Sequence, residues 1–271
     1  MEVAYQGEQG AYSEAAVIRI FGSSVHPKPC RHFSDVFREV SNDATKYGVV
    51  PVENSIEGNV SQVFDLLLEY DLKVIGELFL RIEHVLIANP GTEIENIKVV
   101  YSHPQALGQC RHYLEQHNFE QVTSYDTAGG VKMLKETGLR DAAAIAGERA
   151  AEIYKMNILV KDISDTKNNY TRFLVLSKEE VPPSGNDKTS IIFSTKHVSG
   201  ALHDALGEFA TRGINMTKIE SRPTKSNLWE YNFYLDFEGH QSEQTCAEAL
   251  EALKSKTLFV KVLGSYPKGV E

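Results

Sequence analysis

Cysteine is scarce in this 271-residue chain: Cys30, Cys110 and Cys246 are far apart, odd in number and form no C-x-x-C pair. That argues against a disulfide framework and against structural zinc. A reducing compartment suits such a chain, so a cytoplasmic location is expected. Proline and glycine are also few, 9 and 19 residues, beside 42% hydrophobic and 24% charged residues, a composition that excludes disorder and allows a sizeable core. Positive charge is in deficit. With 28 Lys and Arg against 37 Asp and Glu, the formal net charge is −9, which excludes a polybasic nucleic-acid binder. Long apolar runs are missing too: residues 72–88 are broken by Lys73, Glu77, Arg81, Glu83 and His84 and cannot cross a bilayer as one apolar helix. The opening string MEVAYQG has neither a basic nor an apolar leader region and reads as a first strand, so secretion is not expected.

What is present is periodic. Short β-branched runs at residues 2–5, 48–52, 98–101 and 142–146 alternate with longer helical patterns, an α/β layout. Residues 62–70 (QVFDLLLEY) carry Val63, Phe64, Leu66, Leu67 and Leu68 on one broad face, which predicts a helix packed on a sheet. After the apolar run 173–176 comes KEEVPPSGND, whose paired prolines, Ser184 and Gly185 disfavour both helix and sheet. A linker is therefore placed at 178–187, between a first domain at 1–178 and a second at 188–267. The second reads strand 189–194, helix 200–211, strands 214–221 and 230–237, helix 243–255 and strand 259–265. This β-α-β-β-α-β order, with Tyr231, Phe233, Leu235 and Phe237 alternating along one strand, predicts a ferredoxin-like module.

Four strand ends in the first region carry polar or glycine-rich turns, and α/β folds form ligand crevices at the carboxyl ends of strands. In YQGEQGAYSEAA, Gly7 and Gly10 permit close backbone approach and Ser13 can cap the next helix; an anion site and an ordinary helix start read alike here. VPVENSIEG ends a strand in Glu53, Asn54, Ser55, Glu57 and Gly58, a candidate ligand turn and equally an Asx turn with a helix cap. In VVYSHPQALGQC, Pro104 pushes His103 toward an extended backbone and a helix begins at Gln105. Neighbours on an extended chain point to opposite sides, so Ser102 and His103 cannot form a nucleophile and base pair. His112 and His117 lie five apart, off the spacing of a helical metal pair. Finally, DTKNNYTRFLVLS delivers Thr171 and Arg172 to an apolar strand. A guanidinium can pair bidentately with a substrate carboxylate and a threonine hydroxyl can bond a substrate oxygen; a salt bridge from Arg172 to Asp165 or Glu53 accounts for the same arginine.

Together, ENS followed by x-x-G, then SHPQAL-x-QC, then N-x-TRF at residues 169–173 resemble the prephenate dehydratases, including the arogenate dehydratases, that carry a C-terminal ACT domain. GALHDAL at 200–206 and ESRP at 220–223 are similar to that family's phenylalanine-binding motifs. The resemblance spans nearly the whole chain. It implies a catalytic domain of two α/β lobes similar to type II periplasmic binding proteins, with the active site in the interlobe cleft, followed by a ferredoxin-like ACT domain. It also implies a homotetramer built as a dimer of dimers, with no metal or other cofactor and with neither nucleic acid nor membrane as partner. The implied reaction removes carbon dioxide and water from prephenate to give phenylpyruvate, or from arogenate to give L-phenylalanine, with aromatisation as the driving force.

By the same resemblance Thr171 assists the departing hydroxyl, Arg172 pairs with a substrate carboxylate and Phe173 shapes the pocket; because threonine is a poor proton donor by itself, a relay through a neighbouring carboxyl such as Glu57 or through ordered water is expected. Gly10, Ala11, Ser13, Asn54, Ser55, Ser102, His103, Gln105 and Thr127 would bind substrate. Gly200, Ala201, Leu202, Glu220, Ser221, Arg222 and Pro223 would bind L-phenylalanine as allosteric inhibitor. Ala11 in GEQGAYS, and Gly129 with Gly130 in DTAGG, look closer to the plant-type arogenate enzymes. Prephenate is placed first because it is the commoner substrate in the family. The competing reading is a two-lobed amino-acid sensor without chemistry, which the fold class would equally permit.

Overall fold

The computed structural model describes residues 1–224 and 230–269. They divide into two compact units, residues 1–63 with 78–173, and residues 64–77 with 174–224 and 230–269.

The first unit holds two lobes. Its first lobe opens with β1 (Glu2–Gln6), α1 (Tyr12–Phe21), β2 (His26–Cys30), α2 (Phe33–Ser41) and β3 (Tyr47–Asn54). The three strands are parallel in the order β2-β1-β3, and parallel neighbours require helical crossovers. Val3, Ala4 and Tyr5 are wholly buried, as expected of a strand covered on both faces. A short β4 (Gly58–Asn59) folds back on the end of β3 and leads into α3 (Ser61–Glu69) and β5 (Lys73–Arg81).

The second lobe is built from β6 (Val85–Ala88), β7 (Val99–Ser102), α4 (Pro104–Gln109), α5 (Arg111–Gln116), β8 (Glu120–Thr123), α6 (Thr127–Thr137), β9 (Ala142–Ala146), α7 (Glu148–Tyr154) and β10 (Asn157–Val160). Its sheet has the order β10-β6-β9-β7-β8, with β7, β8 and β9 parallel. The chain returns to the first sheet through β11 (Tyr170–Ser177), giving the order β2-β1-β3-β11-β5. Residues 82–84 and 161–169 are thus the two passages between lobes, and the carboxyl ends of β1, β3, β7 and β8 turn toward a common space.

The second unit contains β12 (Asp187–Ser194), α8 (Ala201–Ala210), β13 (Met216–Pro223), β14 (Tyr231–Glu238), α9 (Gln244–Lys256) and β15 (Phe259–Pro267). The antiparallel order β13-β14-β12-β15 is the ferredoxin-like arrangement of the β-α-β-β-α-β pattern. Phe209 on α8 and Leu250 and Leu253 on α9 pack with Ile191, Phe193, Leu235 and Phe237 of the sheet. Residues 64–77 belong to this unit, whereas the sequence pattern assigns them to the first domain. Their ties are specific. Lys261 Nζ donates to the carbonyls of Leu67, Leu68 and Tyr70 at 3.0, 2.9 and 2.7 Å, and Lys188 pairs with the buried Glu77 at 2.7 Å. Such partners distant in sequence leave no periodic trace.

Candidate active site

A cavity of about 350 Å³ in the first unit is lined by the turn after β1, the turn after β3, the start of β11, and the turns after β7 and β8. Among the described residues, no lysine or arginine lines it.

The β1 turn is shaped by Gly10, which has φ +89° and where a Cβ would sit 2.7 Å from Ala150 Cα. Only glycine fits that approach and that backbone. Its N–H donates to Glu14 Oε2 at 2.5 Å, and the buried Glu14 accepts from Arg149 Nε and Nη2 through Oε1. Helix α1 starts at Tyr12 with Ala11 as N-cap and no side-chain cap. Ser13 therefore does not cap this helix as the sequence suggests. It lines the cavity from the first turn beside Ala11 and Tyr12, where uncapped N–H groups and the helix dipole favour an anion.

The β3 turn sets the direction of a chain of hydrogen bonds. Asn54 Oδ1 accepts from the backbone N–H of Ile56 and of Glu57, both at 3.0 Å. With its oxygen committed, the Asn54 Nδ2 group must donate outward, to Asn169 Oδ1 at 2.7 Å and Thr171 Oγ1 at 2.9 Å. Thr171 is therefore an acceptor within the protein, and no acceptor for its own proton occurs among the described residues. Thr171 lines the cavity, where its hydroxyl can donate to a ligand. From Asn169 the chain continues through Nδ2 to Gln109 Oε1 at 2.9 Å. His84 Nε2 lies 2.8 Å from that same oxygen, and Tyr12 OH lies 2.8 Å from His84 Nδ1. His84 is 2% exposed, and burial lowers its pKa.

On the second lobe, His103 is the N-cap of α4, with Pro104 in the first turn, and its Nδ1 accepts from Gln105 N at 3.3 Å. Burial lowers the pKa of His103 against the opposing pull of Asp126 and Glu57. Asp126 caps α6, accepting from Gly129 N and from Glu8 N, and burial raises its pKa despite those bonds. Glu57 faces the same space, 3.5 Å from Gln109 Nε2.

Of the residues singled out by sequence, Ala11, Ser13, Asn54, Glu57, His103, Gln105, Thr127, Thr171 and Phe173 line this one cavity. Four do not. Gly10 lies behind the wall against Ala150. Ser55 ties its turn to β11, donating to Asn168 O and accepting from Tyr170 N. Ser102 is fully buried and donates to Ile145 O at 2.6 Å. Arg172 is the main correction: successive residues of a strand point to opposite faces, so with Thr171 and Phe173 in the cavity wall Arg172 is directed away from it. It is 6% exposed, is not among the residues that line the cavity and has an interaction of its own within the protein. Sequence reasoning misses Tyr12, His84, Gln109 and Asn169 as site residues. Gln109 is within its reach, since Gln105 and Gln109 are four apart on one helix face; His84 registers only as an interruption of an apolar run.

In the second unit a cavity of about 150 Å³ is bounded by residues 195–198, Ala201, Leu202, Glu230, Tyr231 and Phe233. Gly200, the N-cap of α8 with φ +83°, adjoins it, and a Cβ there would find its nearest neighbour at 3.9 Å. Glu220, Ser221, Arg222 and Pro223, expected to bind L-phenylalanine, are not among the residues that line it: β13 continues through Pro223, paired with β14.

Residues 3–181 match the family model described as prephenate dehydratase, and residues 189–255 match the ACT domain. The bifunctional chorismate mutase/prephenate dehydratase of Aquifex aeolicus is 46% identical, over 100% of this chain and 74% of its own length. Arogenate dehydratase/prephenate dehydratase 2 of Arabidopsis thaliana is 42% identical, over 98% and 73%. Among solved structures, prephenate dehydratase of Arthrobacter aurescens in complex with L-Phe superposes with a TM-score of 0.91 at 32% identity, over 98% of this chain and 90% of that one. A structure described as GqqA, a novel type of quorum quenching acylase, also gives 0.91, at 33% identity over 99% and 98%. With a family match over more than half its length and relatives this similar along nearly all of it, the chain belongs to the prephenate dehydratase family and carries an ACT domain.

Proposed function

We propose that this chain converts prephenate to phenylpyruvate, carbon dioxide and water, under feedback control by L-phenylalanine. The observation that carries this reading is that Thr171 lines the cavity with its hydroxyl oxygen accepting from Asn54, which leaves its proton to serve a bound substrate. Loss of the ring hydroxyl needs a proton on the leaving oxygen as the carboxylate departs from the opposite ring carbon. A threonine is a poor free acid, so Thr171 serves as a preorganised hydrogen-bond donor, with Glu57 in the same wall as the group able to resupply a proton. With Arg172 directed away, the substrate carboxylates are held by neutral donors: the first turn of α1 at Ala11 to Ser13, the start of α6 at Thr127, and Gln105.

Incubating the purified chain with prephenate and measuring phenylpyruvate tests the reading directly. Thr171→Ala is expected to lower kcat by on the order of a hundredfold with little change in KM; turnover near wild type would remove Thr171 from the mechanism. Arogenate is the second substrate to assay side by side, favoured by Ala11 and by Gly129 and Gly130. An acylase reading finds no support in the cavity: His84 is bonded to Gln109 and Tyr12, and His103 to Gln105 N, so neither histidine activates a serine.

The small cavity beside Gly200, Ala201 and Leu202 is the place assigned to L-phenylalanine. A cytoplasmic homotetramer, assembled as a dimer of dimers, belongs to the same reading; light scattering of the purified chain with and without L-phenylalanine measures the assembly.

A further inference from the structure

The proposed substrate is a dianion, yet among the described residues no lysine or arginine lines the cavity that would hold it. We infer that His84 supplies the missing positive charge, taking up a proton as the anionic substrate enters. The inference rests on the dehydratase reading above and deepens it by naming where the charge comes from.

The polarity of the hydrogen-bond chain is decisive. Backbone amides of Ile56 and Glu57 commit Asn54 Oδ1 as an acceptor. Asn54 Nδ2 then commits Asn169 Oδ1, and Asn169 Nδ2 commits Gln109 Oε1. Facing an oxygen, His84 Nε2 must carry a hydrogen. The neutral ring then has a bare Nδ1, 2.8 Å from Tyr12 OH, while the same hydroxyl lies 2.8 Å from Glu83 O. Tyr12 has one proton for two acceptors, so the neutral ring leaves one of these contacts unsatisfied. Protonation of Nδ1 resolves it: the imidazolium donates to Tyr12 OH, and Tyr12 donates to Glu83 O. The cage is built for the cation, while burial holds the empty site neutral. A bound dianion offsets that burial.

The groups around the ring leave it as the responsive one. Burial raises the pKa of Tyr12 on α1 far above neutrality, and it pushes the thiol of Cys110, beside Gln109, up to about 12. Both stay neutral near pH 7. Glu57 reaches Gln109 Nε2 rather than the imidazole. The Glu83 side chain pairs with Arg81 at 3.1 Å, and Asp165, beyond Ile163, pairs with His112 at 3.1 Å.

The test uses the full chain labelled with 15N-histidine and carrying Thr171→Ala, so that prephenate persists. In the empty protein the ring signals of His84 are expected to report a neutral ring protonated at Nε2 at pH 7. With saturating prephenate the midpoint is expected to rise by about one pH unit or more, the range for an opposite charge nearby. In wild type the corresponding sign is a KM that rises with pH between the empty and loaded midpoints. Tyr12→Phe, which removes the acceptor for Nδ1–H, is expected to lower the loaded midpoint. A ring that stays neutral with prephenate bound, or a loaded midpoint indifferent to Tyr12→Phe, overturns the inference. Wild-type turnover keeps the two readings apart. Phenylpyruvate formation with a neutral His84 preserves the dehydratase and removes the cation, whereas protonation on prephenate binding without product does the reverse.

Discussion

At the scale of single residues, Thr171 and Arg172 show how one peptide unit separates a side chain that lines the cavity from one that does not. Arg172 is attractive as a carboxylate ligand because a guanidinium opening an apolar strand demands an explanation. Strand alternation, the rule that also parts Ser102 from His103, assigns Thr171 and Phe173 to the cavity and sends Arg172 to the other face. Arg172→Lys is therefore expected to leave KM within about twofold while lowering thermal stability, because a buried, partnered guanidinium is replaced by an ammonium that cannot reproduce its planar contacts. Steady-state kinetics beside a melting curve decide it: a large rise in KM at unchanged stability would return Arg172 to the substrate. The cysteines make a second residue-scale case. Burial pushes Cys30 up to about 11 and Cys110 up to about 12. At pH 8 the Cys30 thiolate is then only about one part in a thousand. Both thiols should resist iodoacetamide in the folded protein and react once urea exposes them, as mass spectrometry would record.

Elements are legible where their signals are local. The β-α-β-β-α-β order of the second unit comes from period and turn residues, and the helix expected at 62–70 is α3, Ser61–Glu69. Strand β2, HPKPC, has no such signal. Its two prolines speak against a central strand, and β2 is in fact at the edge of its sheet, where a missing N–H is tolerated. The strand expected to end at Ser221 likewise runs on through Pro223 as β13, which lies at an edge that can end in proline. The end of α3 depends on a distant lysine: Lys261 from β15 satisfies three carbonyls that a helix terminus leaves open. Lys261→Met should cost about 1–3 kcal/mol of stability, visible in denaturant unfolding. An unchanged midpoint would mean that water replaces the ammonium without loss.

For the whole molecule, feedback requires L-phenylalanine to bind one state of the protein better than another. Gly200→Val tests the assigned location, since Gly200 directly precedes Ala201 and Leu202 of the small cavity's wall and has a backbone angle, φ +83°, that L-residues resist. Inhibition by L-phenylalanine should be lost while uninhibited turnover stays within about twofold; retained inhibition would move the effector site elsewhere.

The sequence by itself determined the family, the element order of the second unit and four of the segments that line the cavity, the turns after β1, β3 and β7 and the start of β11, because motif, period and turn chemistry are written in consecutive residues. Only the tertiary structure decided that Asn54, Asn169, Gln109, His84 and Tyr12 form one hydrogen-bonded chain, and that residues 64–77 pack with the second unit. Those facts join side chains far apart along the backbone. Their partners are chosen by packing and by the need to satisfy buried polar atoms, which no local window contains.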